Sequence, residues 1–483
     1  MTPETVIAIA LALPVGGAAL VAASHRVPNL REAITLTTAA ALFVSVMWLL
    51  PIVLDGGRPS LRLIEIFPGL ALEFRIEPFG LLFALIASGL WMLSSLYSIG
   101  YMRGNRELHQ TRFYACFALA LASTIGVAFS GNLLTLFLFY EALTLITYPL
   151  VTHRGDEPAR RGGRTYLALL LFTSTALLLP AVIATWFLAG TLDFRPGGIL
   201  AGTVSGVGAT LLLALYVFGI GKAALMPFHR WLPAAMVAPT PVSALLHAVA
   251  VVKAGVFAVV KIIVYTFGLD AAGASFGWLP YVAGFTIVAA SIIALRADNL
   301  KRRLAYSTIS QLSYVIMATA ILAPLSIVGA ALHVAAHAVG KITLFFAAGA
   351  IYTAAHKTEV SQLDGIGRRM PWTLAAFGIA SLSMIGLPPT AGMLSKWYMV
   401  AGAYQAQHWA VLAVIVTGTL LSAGYLLPIV YRAFLRPAPA AEPAHGEAPW
   451  TMVVALVATA ALTVLMFFFA DVPLALARGL LGQ

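Results

Sequence analysis

The sequence is poor in charge, poorer still in carboxylates, and has a single cysteine. Of its 483 residues only 10% are charged, and 18 are acidic. Soluble domains carry about 25% charged residues. A globule of this size could not clothe its surface in polar groups with so few, which excludes an ordinary soluble core. Cys116 alone excludes a disulfide framework and a multi-cysteine zinc site; it lies in an apolar run, where packing is its expected role. No GxGxxG or GxxxxGK[ST] pattern occurs and no segment reads as a soluble domain, so no nucleotide or other cofactor is expected. The opening MTPETVIAIALALPVGGAAL lacks the basic flank of a signal peptide, and its apolar run is too long for one. It reads as a first membrane helix.

What is abundant is hydrophobicity: 61% of the residues, with a mean hydropathy of +0.93. Runs long enough to cross about 30 Å of hydrocarbon recur near 4–23, 33–54, 78–99, 113–129, 133–152, 164–188, 204–227, 241–267, 277–296, 302–322, 326–355, 372–387 continuing to 405, 409–434 and 449–475. The pattern predicts an all-α polytopic membrane protein of about 14 transmembrane helices. Between them, 55–77 reads as the longest loop of the first half, and the Pro/Ala-rich 436–449 as a flexible one.

The net charge of +11 would suit a nucleic-acid binder, but its distribution argues against that partner. The basic residues gather after odd-numbered spans: Arg26 and Arg31, Arg103 to Arg112, Arg154 to Arg164, Arg230, Lys301 to Arg303, Lys357 to Arg369, Arg432 and Arg436. Positive-inside orientation places those loops in the cytoplasm and both termini on the outer face.

An ionisable group at mid-bilayer costs a few kcal/mol or more, so those inside spans are functional candidates. They are Glu141, Lys222, Lys253, Lys261, Lys341 and Lys396, with His247, His333 and His337. Glu141, in LFLFYEALTLITYP, is the lone carboxylate within a span; it is either a structural ion-pair partner or a titrating site. Lys222 lies in GIGKAALMPFHRWLP, where glycines and Pro227 should interrupt the helix. Interrupted helices are tolerated at depth where they line protein or water, and there they form ion sites. The blander alternative is a snorkelling lysine, but His229 and Arg230 already mark the interface beyond it. Lys253 falls near mid-membrane, and Lys261 nearer the far end, at the interface. His333, His337 and Lys341 recur every four residues on one helix face and resemble a proton relay more than a metal site, since a His pair at this spacing lacks a third ligand. They could equally be satisfied core side chains. GLPPTAGMLSK repeats the break-plus-lysine pattern around Lys396, five spans after the first, and the odd offset implies inverted repeats. The polar start of the tenth span, with Ser310 and Gln311, could hold water or bridge helices.

Together LFYEALTLITYPL, GKAALMPFHRWLPAAMVAPTPVSALLHA, LKRRLAYSTISQLSYV, HAVGKITLFFAAG and GLPPTAGMLSK resemble the antiporter-like membrane subunits of respiratory complex I, membrane-bound hydrogenases and multisubunit Mrp cation/proton antiporters, over about residues 78–434. The resemblance implies 14 helices with discontinuous seventh and twelfth helices. It also implies three N-terminal helices in 1–112, five-helix repeats in 113–267 and 277–434 related by inversion, and a loop with helix 14 in 435–483. It implies that Glu141 pairs with Lys222, that Lys253, His337 and Lys341 continue a polar axis, and that Lys396 ends it. His333 is expected on the same axis, with His229, His247, Ser310 and Gln311 as accessory polar groups. The implied setting is a bacterial cell membrane. The implied partners are protons and other integral membrane subunits, with sodium left open because its site needs an oxygen cage that spacing does not define. Ending soon after span 14, the chain would lack the lateral helix or extra domains of the largest members and fits the smaller Mrp subunit. Two other classes stay open: a stand-alone solute carrier and a non-transporting scaffold subunit.

Overall fold

A computed structural model describes residues 1–270, 275–439 and 445–482, and it is mostly helical. Among these residues eleven helices are long and apolar enough to cross a membrane. The chain opens with α1 (Pro3–Ala23) and α2 (Pro28–Leu54), each started by a proline whose missing N–H is not needed in a first turn. Then come α3 (Pro78–Gly104), α4 (Gln110–Ala128), α5 (Leu133–Val151) and α6 (Glu157–Ala189). Asp156 caps α6 by accepting from the Ala159 N–H at 2.8 Å. After α7 (Gly206–Gly219) and α8 (Thr240–Phe267) follow α9 (Leu279–Arg296), α10 (Leu300–Ala320) and α11 (Pro324–Ala355). The chain continues through α12a (Pro371–Ile385), α12b (Ala391–Gln405), α13 (Trp409–Leu435) and α14 (Trp450–Phe468).

α8 and α11 form the centre. The most apolar stretch of each is wholly buried, whereas α1, α2, α6, α13 and α14 bury 33–39% of theirs and face outward. α11 has 32 residues, about 48 Å at 1.5 Å per residue, so it outspans the hydrocarbon layer.

Four expectations are corrected. The loop 55–77 holds an antiparallel hairpin, β1 (Ser60–Phe67) and β2 (Leu70–Arg75), so the fold is not purely α. Its sequence RLIEIFPGLALEFR turns at Pro68-Gly69, with Gly69 at φ +80°, the positive value that the second central residue of a type II turn requires. The seventh span ends as a helix at Gly219 rather than near 227. The last span ends at Phe468, and a separate α15 (Asp471–Arg478) packs back on α3 and α11. Arg31 is no loop residue: it lies in the first turn of α2, buried, donating to Gln110 and Thr111 of α4 at 2.9 and 3.1 Å. In the expected flexible loop, residues 440–444 lie outside the described residues. Glu447 is ordered against the start of α12a, accepting from the Trp372 and Thr373 N–H groups and the Thr373 hydroxyl.

Candidate functional site

Lys253 stands at the midpoint of α8 and is completely buried, as are His333, His337 and Lys341 on α11. Helical spacing puts the two α11 histidines one above the other, with ring centroids 6.0 Å apart. The Lys253 Nζ hydrogen-bonds to Nδ1 of His337. His333 is held on both sides: Nδ1 lies 2.9 Å from Ser395 Oγ on α12b, and Nε2 lies 3.1 Å from Gln311 Oε1 on α10. Gln311 Nε2 donates onward to the Met384 carbonyl of α12a at 3.3 Å. Lys396 donates to that same carbonyl at 3.1 Å. Two hydrogen-bonded segments therefore follow one another across the bundle, Lys253–His337 and His333–Gln311–Met384 carbonyl–Lys396, separated by the 6.0 Å between the two histidine rings. Lys341 stands one turn beyond His337 and donates to Ser307 Oγ of α10 at 2.8 Å.

The two interruptions each present an amine to a backbone carbonyl. α12a stops at Gly386, whose φ of +93° closes the helix in a left-handed cap. The last carbonyls of a helix lack intrahelical partners, and Lys396 from α12b fills two of them, Met384 at 3.1 Å and Ile385 at 2.9 Å, adding Thr419 Oγ1 at 3.2 Å. A Cβ on Gly386 would fall 2.6 Å from Lys396 Cδ. At the first interruption, Lys222 sits in the short turn Gly221–Ala223. Its Nζ donates to the Tyr140 carbonyl at 2.7 Å and to Thr144 Oγ1 at 2.5 Å, and lies 3.1 Å from the Tyr140 ring centroid. Its carbonyl carbon packs so tightly on α8 that a Cβ on Gly255, two residues from Lys253, would collide with it.

Among the described residues, none of Lys222, Lys253, Lys341 and Lys396 is ion-paired to a carboxylate. Their hydrogen-bond partners are carbonyls, hydroxyls and, for Lys253, an imidazole nitrogen. Glu141, half-buried on α5, makes no hydrogen bond or ion pair among the described residues, and its Oε1 is buried without a partner there. The implied pairing of Glu141 with Lys222 is thus open in this conformation. Lys261, expected nearer the far end of its span, is wholly buried toward the end of α8, 3.0 Å from Glu77 at the start of α3. His247 is buried beside the Phe345 ring, 4.8 Å between centroids, with neither nitrogen bonded. His229 is half-buried with Nδ1 unpartnered, its ring 6.3 Å from that of Tyr306. Ser310 accepts from Ser291 at 2.9 Å and stands off the line. Sequence reasoning missed Ser395, Thr144, Thr419 and Tyr140; hydroxyls scattered through apolar helices are a signal too common to single out.

Residues 130–422 match the transmembrane family described as NADH:quinone oxidoreductase/Mrp antiporter. The chain belongs to this family. It is 35% identical to NADH-quinone oxidoreductase subunit N of Desulforudis audaxviator over 77% of this chain and 74% of that one. It is 26% identical to a Na(+)/H(+) antiporter subunit of Alkalihalophilus pseudofirmus over 82% and 81% respectively. Several relatives are longer, and the match spans 36% to 59% of their length. The fold matches a chain in the structure of the Mrp complex from Dietzia sp. with a TM-score of 0.89, at 20% identity, covering 100% of this chain and 97% of that one. This family member is thus a multi-pass integral membrane protein of the antiporter-like type.

Proposed function

We propose that the chain is a proton-translocating subunit of a hetero-oligomeric membrane complex, of the Mrp or complex I kind, and that Lys222, Lys253, His333, His337, Lys341 and Lys396 carry the proton. The observation behind this reading is the row of buried polar groups from Lys253 to Lys396, hydrogen-bonded except at the step between the stacked His337 and His333 rings, and made of groups that can both take and give a proton save for Gln311 and one carbonyl. Protons enter toward Lys222, pass Lys253 and the His337/Lys341 region, and leave near Lys396. Glu141 is the control: near Lys222 it favours the ammonium, and withdrawn it releases the proton. His229 and His247 are accessory sites on the approach.

The eleven long spans, with α7, α10 and the α12a/α12b pair, make fourteen crossings in this reading. Residues 113–267 and 277–434 form two inverted five-helix repeats, between an N-terminal unit (1–112) and a last unit (435–483), and both termini lie on the outer face. The relatives named as subunits of larger complexes support membrane partners for this chain.

Lys253→Ala decides the matter. In the intact complex in sealed vesicles it should abolish coupled proton movement while the complex still copurifies whole. Normal pumping would refute the relay.

A further inference from the structure

α8 carries a second lysine that the line from Lys253 to Lys396 does not use. Lys261 lies eight residues past Lys253, about 12 Å along the helix axis. It is wholly buried, 3.0 Å from Glu77 Oε2, donates to the Ser130 carbonyl at 2.5 Å, and stands 4.4 Å from the Phe194 ring centroid. A lysine serving only to anchor a helix end would reach water, because burying the charge with an acid costs more than snorkelling. Glu77 also lines a cavity of about 510 Å³ beside the hairpin, together with Arg58, Arg75, Phe194, Tyr265 and Asp270. At about 30 Å³ per water the space has room for a chain of waters. So the acid of the pair lines a space large enough for water, and the wholly buried amine does not.

Between the two lysines lies Phe257, four residues from each and on the same helix face. Its ring stacks on Phe79 at 4.8 Å, touches Phe83 at 5.1 Å, and is 5.6 Å from Lys261 Nζ. We propose that Glu77 and Lys261 form an aqueous port from the hairpin side onto the axis, and that Phe257 is the dry gate separating this port from Lys253. A proton reaching the Lys261 amine makes an ammonium. It then passes to the Glu77 carboxylate, leaving a neutral amine and a carboxylic acid. Water in the cavity takes it as hydronium and restores the carboxylate.

The port rests on the proton-translocating reading of α8, and the two are tested apart. The assembled complex in sealed vesicles is given an imposed pH gradient and its passive proton leak is measured. Phe257→Ala should raise the leak about tenfold or more, a barrier change of roughly 1.4 kcal/mol. Adding Glu77→Gln or Lys261→Gln should return it to the wild-type level, whereas adding Lys261→Arg should not. A leak from Phe257→Ala that ignores both second substitutions comes from loosened packing and overturns the port, as does no leak at all. Should the Gln variants fail to assemble, Val264→Cys in a Cys116→Ser background decides, since Val264 lines the cavity. A water-soluble, impermeant thiol reagent should label it from the hairpin face, and no labelling overturns the port. If Lys253→Ala stops pumping while the Phe257 series shows no port behaviour, the port alone falls. Full pumping in Lys253→Ala removes the reading beneath it.

Discussion

The amine of Lys253 on α8 shares a hydrogen bond with Nδ1 of His337 on α11, at the wholly buried centre of the molecule. Either group can hold the proton between them: an ammonium donates to a bare Nδ1, and a neutral amine accepts from Nδ1–H. His337 Nε2 has no partner, so a proton arriving there has no fixed competitor. His337→Gln keeps an acceptor for the amine but cannot be protonated, whereas His337→Leu leaves the buried amine short of a partner. Both should abolish coupled proton movement in vesicles. Only the Leu variant should lose stability, by about 1–3 kcal/mol, read as an earlier thermal transition of the purified complex.

Gly386 makes a sharper test of the second interruption. Its φ of +93° disfavours any side chain, and an added Cβ would meet Lys396 Cδ at 2.6 Å. Gly386→Ala should cost about 1–3 kcal/mol in stability and push Lys396 off the Met384 and Ile385 carbonyls. Proton movement should fall together with stability. Gly378→Ala, in the same helix but with only Val430 methyl groups at 3.9 Å, should leave both unchanged.

Spans and lysines were legible because their signals are local. A run of apolar residues declares its length, and GLPPTAG and GIGKAALMP declare a break through residues that cannot sustain a helix. What stayed hidden depends on contacts distant in sequence. Glu32 and Glu77 read as loop charges because hydropathy trims spans back to their apolar part; packing against Arg103 and Lys261 is what buries them. Gln311 was visible as a polar residue, but its place on the line exists only where α10, α11 and α12a converge. The hairpin was read as a loop because two short strands between membrane helices show a period of two that nothing nearby demands.

Outside the membrane, the loop after α11 is pinned to α13 by Asp364, which accepts from Arg432 Nε at 2.7 Å and Nη2 at 3.1 Å. Those hydrogen bonds hold the Asp364 carboxyl below its ordinary value of 3.8, against a smaller opposing effect of burial. A folded-state value below the unfolded one stabilises the protein above the unfolded value and loses that stabilisation as pH falls through the folded one. Both side chains are 24% exposed, which limits the pair to about 1 kcal/mol. Asp364→Asn should lower the thermal transition slightly at pH 7, and the gap from wild type should narrow progressively below pH 3.8. A gap that is constant with pH would assign the effect to lost packing instead.

Glu141 separates a working acid from a structural one. A structural carboxylate in a membrane helix needs its partner, and removing the charge would strand that partner at a cost of several kcal/mol. Glu141 has no bonded partner: Lys222 is satisfied by the Tyr140 carbonyl and Thr144, and Oε1 of the acid is buried bare. Glu141→Gln removes a charge that the fold does not use, so the thermal transition should stay level or rise. Proton movement should nevertheless collapse, because an amide cannot draw charge onto Lys222. Placing the acid one turn away, as Glu141→Gln with Leu145→Glu, should not restore pumping, because Leu145 is exposed on the outer face of α5. A Glu141→Gln complex that is markedly less stable yet pumps normally would make the acid a packing element and leave Lys222 to act without it.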